Sequence, residues 1–209
     1  MSIDHSIPEQ ICLYDHEFNP KDAISLGKLE AQARLYLKYA SIVNQFLDFS
    51  FVLEQAPKYG IVRICFYDPS RFGMDPSFYD EESWKDGCYG KIQKLMDRKG
   101  QYEVFLNPYL NLPEAARVLS KLTGLRIKPE EVYYYVWFHE CGHTRKIAGD
   151  LCPESLMGMY LRSYPKERIL EFKTKSEQIA DAWAVKELRR WRRNRKNRVL
   201  PSPILSLGA

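Results

Sequence analysis

Histidine is scarce in this sequence: four occur in 209 residues, and none follows His143. That excludes a site built from many imidazoles and makes the spacing of the few that occur informative. Cysteine is sparse in a different sense. Cys12, Cys65, Cys88, Cys141 and Cys152 are odd in number, widely spaced and form no C-x-x-C pair. This excludes a disulfide framework and a cysteine-cluster zinc site, and a reduced, cytoplasmic setting is expected. No uncharged apolar run reaches the roughly 18 residues that a membrane-spanning helix needs. Met1 to Asp15 has neither a basic nor an apolar signal region, so secretion is not expected. No internal repeat is visible.

What the chain does have is enough apolar material for one compact domain. Hydrophobic residues make up 45% and aromatics 13%, sufficient for a sizeable core at this length. Charge is unevenly placed. Lys186 to Arg198 carries a net +7, which against +4 for the whole chain leaves −3 elsewhere. That run fits an electrostatic handle for nucleic acid or an acidic partner, with Trp191 available to stack. It fits equally a helix C-terminus whose cations suit the dipole and stay solvated.

The most specific chemistry is His139-Glu140-Cys141-Gly142-His143, which reads HExxH. Residues four apart on a helix are displaced by about 400°, so both histidines leave one face and can grip one metal ion. Glu140 points roughly 100° aside, where it can reach a water rather than the metal. Lys128-Pro129-Glu130-Glu131 reads as a helix start, with proline early and acids in the first turn. Val132, Tyr135, Val136, His139, His143 and Ile147 then form one stripe. Two satisfied core histidines would share that stripe, but buried imidazoles need polar partners, and an acid between them suits zinc better. Gly142 costs about 1 kcal/mol inside a helix, which close approach by another element would explain. Cys141 turns away from the histidine face and reads as packing.

A catalytic zinc takes three protein ligands and an open position for water. With no later histidine, the third donor is expected to be a carboxylate on a later helix. Thr174-Lys-Ser-Glu177-Gln-Ile-Ala-Asp181-Ala-Trp-Ala184 supplies it: Glu177 and Asp181 sit at i and i+4 with the small Ala180 and Ala184. Glu177 is the candidate ligand. Asp181 is the candidate acceptor for the outer N–H of a ligand histidine. Thr174-x-x-Glu177 is also a capping box, and Glu154, Glu167 and Glu171 compete for the ligand role. Tyr160, Arg162 and Tyr164 are candidate oxyanion donors.

HExGH followed by an E-x-x-A-D-A-aromatic-A helix resembles the ImmA/IrrE family of zinc metallopeptidases. The likeness covers roughly residues 100 to 188 and includes Tyr102-Glu-Val-Phe-Leu-Asn107, similar to a strand ending in Asn before that family's active helix. A helix-like stretch, Pro113 to Thr123, separates this Asn from the HExxH helix. The resemblance implies an α+β, zincin-like fold, with a small antiparallel sheet packed on helices. It implies zinc held by His139, His143 and Glu177, and Glu140 assisting attack of a zinc-bound water. The implied substrate is a specific protein, a DNA-binding regulator being that family's kind. The alternative is a catalytically silent, peptidase-like module that engages a regulator or nucleic acid through Lys186 to Arg198.

The expected organisation is a helical region over 1–60 packed on the core, a metallopeptidase-like domain over 61–193 and a basic tail over 194–209, forming one domain overall. Residues 21–55 are expected to be mostly helical, with Leu29, Ala33, Leu37, Ala40, Val43, Phe46 and Leu47 at core spacing and the aromatics there also in the core. Ile61 to Tyr67 reads as a strand, and 68–87 as an ordered loop edging a cleft. Cys88 to Met96 and Gln101 to Asn107 read as a hairpin, turning at Asp97 to Gly100. Helices near 113–123, 129–146 and 166–193 follow. In such peptidases an edge strand aligns an extended substrate, and Gln101 to Asn107 is the candidate.

Overall fold

The computed structural model describes residues 26–66, 89–95 and 100–197. The loop expected over 68–87, most of the turn at 97–100, His5, His16, Cys12, Cys88 and the residues from Arg198 onward lie outside them. The fold is α+β and mostly helical. Two helices, α1 (Leu26–Val43) and α2 (Phe49–Gln55), precede strand β1 (Ile61–Phe66). Strands β2 (Gly90–Lys94) and β3 (Tyr102–Leu106) follow. Then come α3 (Leu112–Thr123), α4 (Val132–Gly142), the single turn α5 (Arg145–Ala148), α6 (Pro153–Leu161) and α7 (Lys166–Asn197). No helix among the described residues is long and apolar enough to cross a membrane.

The sheet is mixed, which corrects the antiparallel expectation. Its order is β1-β3-β2, with β1 parallel to β3 and β2 antiparallel to it. The expected hairpin is β2–β3. A parallel partner cannot come from a tight turn, and the long chain between Phe66 and Tyr102 lets β1 lie on the far side of β3. A second correction follows. β3 is central and buried along its whole length, so the stretch Gln101 to Asn107 is not an edge. The edge facing away from β1 is β2. Bonds from Leu95 N to Gln101 O and from Asn107 N to Tyr89 O set its phase. Gly90, Ile92 and Lys94 therefore turn their backbone groups to the side away from β3.

Helix α4 is apolar on every side, and all its residues except His139 are buried, so it forms the centre of the core. The expected stripe is thus one side of a helix buried nearly all round, and its last member, Ile147, lies beyond that helix in α5. The helix is also shorter than the expected 129–146. His143 N and Thr144 N bond to the carbonyls three residues back, and the Thr144 hydroxyl donates to Cys141 O, which closes the helix before α5 begins. At the other end of the chain, Tyr36, Tyr39, Val43, Leu47 and Val52 join the same core. Leu37 does not: it is 59% exposed, and Tyr36 and Tyr39 take the buried positions instead. Asp48 interrupts the expected long helix by capping α2, accepting from Ser50 N and Phe51 N. Helix α6, which has no buried residue, was not expected. Helix α7 runs unbroken to Asn197, past the boundary expected at 193.

Candidate metal centre

Two helices carry the site, and their distance is set by small residues. Ser176, Ala180, Ala184 and Leu188 recur every four positions along α7 and are all buried, so this stripe faces the core. Gly142, the last residue of α4, meets it: a Cβ built there would lie 2.6 Å from Ala180 Cα. The cost of glycine at this position is thus offset by close approach of α7, as its place in the sequence suggested. Beside the stripe, Glu177 and Asp181 are brought over the histidine face of α4.

The ligand atoms of His139, His143 and Glu177 all lie within 4.8 Å of one another. His139 Nε2 is 3.1 Å from His143 Nε2 and 3.2 Å from Glu177 Oε2, and His143 Nε2 is 3.6 Å from Glu177 Oε1. The outer nitrogens are held as well. His139 Nδ1 donates to Asp181 Oδ1 at 2.9 Å, and the same oxygen accepts the Tyr135 hydroxyl at 2.7 Å. His143 Nδ1 lies 3.0 Å from Ser176 Oγ. The imidazoles are largely enclosed, whereas the Glu177 side chain is 59% exposed, so the cluster opens to solvent on that side.

Electrostatics divide the two histidines. Burial lowers the pKa of His139, but hydrogen bonds to Asp181 and Glu177 outweigh it and push the group up to about 10. Burial and the neighbouring His139 charge bring His143 down to about 4. Between protein groups alone, the pair therefore carries one positive charge at neutral pH, on His139, while His143 is a neutral imidazole. Burial opposes ionising Glu177 and Asp181, yet their bonds to His139 hold both carboxyls below the usual range. A single positive charge thus sits among two carboxylates and a neutral imidazole, the arrangement a cation would also satisfy.

Glu140 is outside this triad and serves a different neighbour. It is 4% exposed, and burial raises its pKa to about 7, partly countered by His139, Lys91 and a bond from the Ile92 backbone N–H. That N–H lies on the side of β2 away from β3. Gly90 makes the contact possible: a Cβ there would meet Val136 Cγ1 at 2.6 Å and Glu140 Oε1 at 3.0 Å.

His139, His143, Glu177 and Asp181 are thus drawn together. The competing acids are placed elsewhere. Glu154 accepts the Tyr102 hydroxyl at 2.8 Å, Glu171 pairs with Lys175 on the surface, and Glu167 is exposed in the first turn of α7. Thr174 caps nothing; it lies inside α7 and donates to Leu170 O. Tyr160 is half exposed with Lys173 Nζ over its ring, and neither it, Arg162 nor Tyr164 hydrogen-bonds to the cluster. Cys141 is fully buried in the core. Trp191 is not free to stack, because it packs on Tyr134 with ring centroids 4.1 Å apart and has Arg195 over its ring.

Two residues of the site, Ser176 and Gly90, are not read from the sequence, and Tyr135 is read there only as part of the helical stripe. Tyr135 stands four residues before His139, so helical spacing alone places it on the same face. Ser176 and Gly90 carry no local signal; each matters through a partner distant in the chain. No known family model, curated protein or solved structure matches this chain.

Proposed function

We propose that this chain is a zinc-dependent peptidase with a zincin-like active helix, of the ImmA/IrrE kind, acting in the cytoplasm on a specific protein partner. A DNA-binding regulator is the substrate class that the resemblance suggests. The observation that carries this reading is the convergence of His139, His143 and Glu177, with Asp181 on the far nitrogen of His139. Two imidazole nitrogens and a carboxylate oxygen are a donor set that suits catalytic zinc, and the exposed Glu177 side leaves room for one further ligand. When bound, zinc supplies Lewis acidity, which makes water a competent nucleophile near neutral pH. Glu140 is the general base: it takes a proton from the attacking water and returns it to the leaving amine. Its raised pKa suits both transfers, and the Ile92 N–H keeps its carboxylate oriented.

The test is metal content and cleavage together. Wild-type protein should hold about one zinc ion per chain, and His139→Ala should hold none. Glu140→Gln should keep zinc and lose cleavage of a confirmed substrate. Turnover at the wild-type rate in that variant would remove Glu140 from the reaction.

A second reading, a catalytically silent module for nucleic acid or an acidic partner, is favoured by Lys186, Arg189, Arg190, Arg193 and Arg195, which stay exposed along the last turns of α7. It requires nucleic-acid affinity that falls steeply with salt and survives chelation. Unchanged affinity after neutralising Arg189 and Arg193 would reject it.

A further inference from the structure

We propose that Ser176 is the positioning residue for His143, holding its imidazole in the one tautomer whose Nε2 lone pair faces His139 and Glu177. The inference rests on the metal-site reading for its purpose, though not for its geometry.

The argument is a count of protons. The Ser176 hydroxyl has one hydrogen. It lies 2.9 Å from Leu151 O, a carbonyl that can only accept, so the hydrogen is committed there. Toward His143 Nδ1, 3.0 Å away, Ser176 Oγ can then only accept. Nδ1 must carry the proton, and in a neutral imidazole that leaves Nε2 as the acceptor. Ser176 is 7% exposed and His143 9%, so little water can substitute for the hydroxyl.

The placement also limits rotation of the ring. Adjacent residues of α7 engage its two ends, Ser176 at Nδ1 and Glu177 on the Nε2 side. Turning the ring to satisfy one would break the other. Leu151, which ends the 3₁₀ turn Gly149–Leu151, anchors the relay from outside both helices. The two histidines are consequently unequal. His139 leans on a carboxylate that also binds Tyr135, whereas His143 leans on a neutral hydroxyl that adds no charge to the site. A carboxylate behind each imidazole would make the cluster more negative and weaken the Lewis acidity available to substrate.

Two measurements on wild-type, Ser176→Ala and Ser176→Thr protein decide the matter. The first is the tautomer of His143 in metal-free protein at neutral pH, from long-range ¹H–¹⁵N correlations of the imidazole. Wild type should show Nδ1–H alone, Ser176→Ala should admit Nε2–H, and Ser176→Thr should restore the wild-type pattern. The second is the zinc dissociation constant by chelator competition, which should rise roughly 10- to 100-fold in Ser176→Ala and recover in Ser176→Thr. Nε2–H in the wild type, or an unchanged tautomer in Ser176→Ala, would overturn the proposal. So would a Ser176→Ala dissociation constant within about twofold of wild type, given the same magnitude for comparison. A wild type that takes up no zinc would defeat the proposed function instead, while the tautomer measurement would still decide the role of Ser176.

Discussion

Gly142 and Ala180 meet backbone to backbone, and this contact sets the distance between the two helices that share the candidate site. A Cβ on Gly142 would come within 2.6 Å of Ala180 Cα and 3.2 Å of Ala180 O, neither of which can swing aside. Glu177 and Asp181 flank Ala180 on α7, and His139 and His143 flank Gly142 at the end of α4. Widening the contact would therefore move the acids away from the imidazoles.

Gly142→Ala should accordingly destabilise the protein, although alanine is the better helix former. Propensity favours it by about 1 kcal/mol, whereas overpacking a tight core contact costs about 1–3 kcal/mol. Gly158, inside α6 with open space around its Cα, supplies the control. Gly158→Ala should gain about 0.5–1 kcal/mol. Urea unfolding of the two variants compares them directly, and equal or greater stability for Gly142→Ala would contradict the tight contact. Its zinc affinity should fall as well.

Asp181→Asn should keep the fold and weaken the metal. The carboxylate accepts from both His139 Nδ1 and the Tyr135 hydroxyl, so it fixes the ring and its tautomer together. An amide keeps the size, loses the charge and can present N–H₂ to Nδ1, favouring the wrong tautomer. Zinc affinity should drop by about 10- to 100-fold, and Tyr135→Phe, which leaves the Asp181–His139 bond in place, should cost less. Equal affinities for Asp181→Asn and wild type would show that His139 needs no outer acceptor.

The parts of this site that could be read from the sequence are those governed by spacing within one helix. His139, Glu140 and His143 are fixed by a single turn of α4, and Glu177 and Asp181 by a single turn of α7. That these two turns face each other follows from Gly142 and Ala180, both of which looked small for a reason. Ser176 and Gly90 were not legible, because their roles depend on Leu151 O and on Glu140, partners distant in the chain or across a strand. The direction of β1 was hidden likewise: alternating apolar residues are the same for parallel and antiparallel pairing, and the connection decides. Thr174 misled for the opposite reason. Its capping signature is local and genuine in form, but α7 is already helical from Lys166, and an interior threonine bonds back to its own helix.

The basic end of α7 yields the last prediction, since one of its arginines is structural. Arg192 grips both oxygens of Glu131 and also donates to Arg126 O, tying α7 to the turn that starts α4. Burial opposes ionising Glu131, but Arg192 and the Lys128 N–H outweigh it and hold the carboxyl below its ordinary value. An acid with a depressed folded pKa stabilises the protein above its unfolded pKa, and that stability is lost as pH falls through the folded value. Glu131→Gln should therefore cost about 2–3 kcal/mol at neutral pH, because it leaves a half-buried guanidinium without its charge partner. The gap from wild type should begin to close below about pH 4.5 and vanish once Glu131 is protonated in both states. Arg193→Ala, one residue along and exposed, should stay within about 0.5 kcal/mol of wild type. Denaturant midpoints measured from pH 3 to 8 would test the sign, and a Glu131→Gln deficit that grew toward acid would refute it.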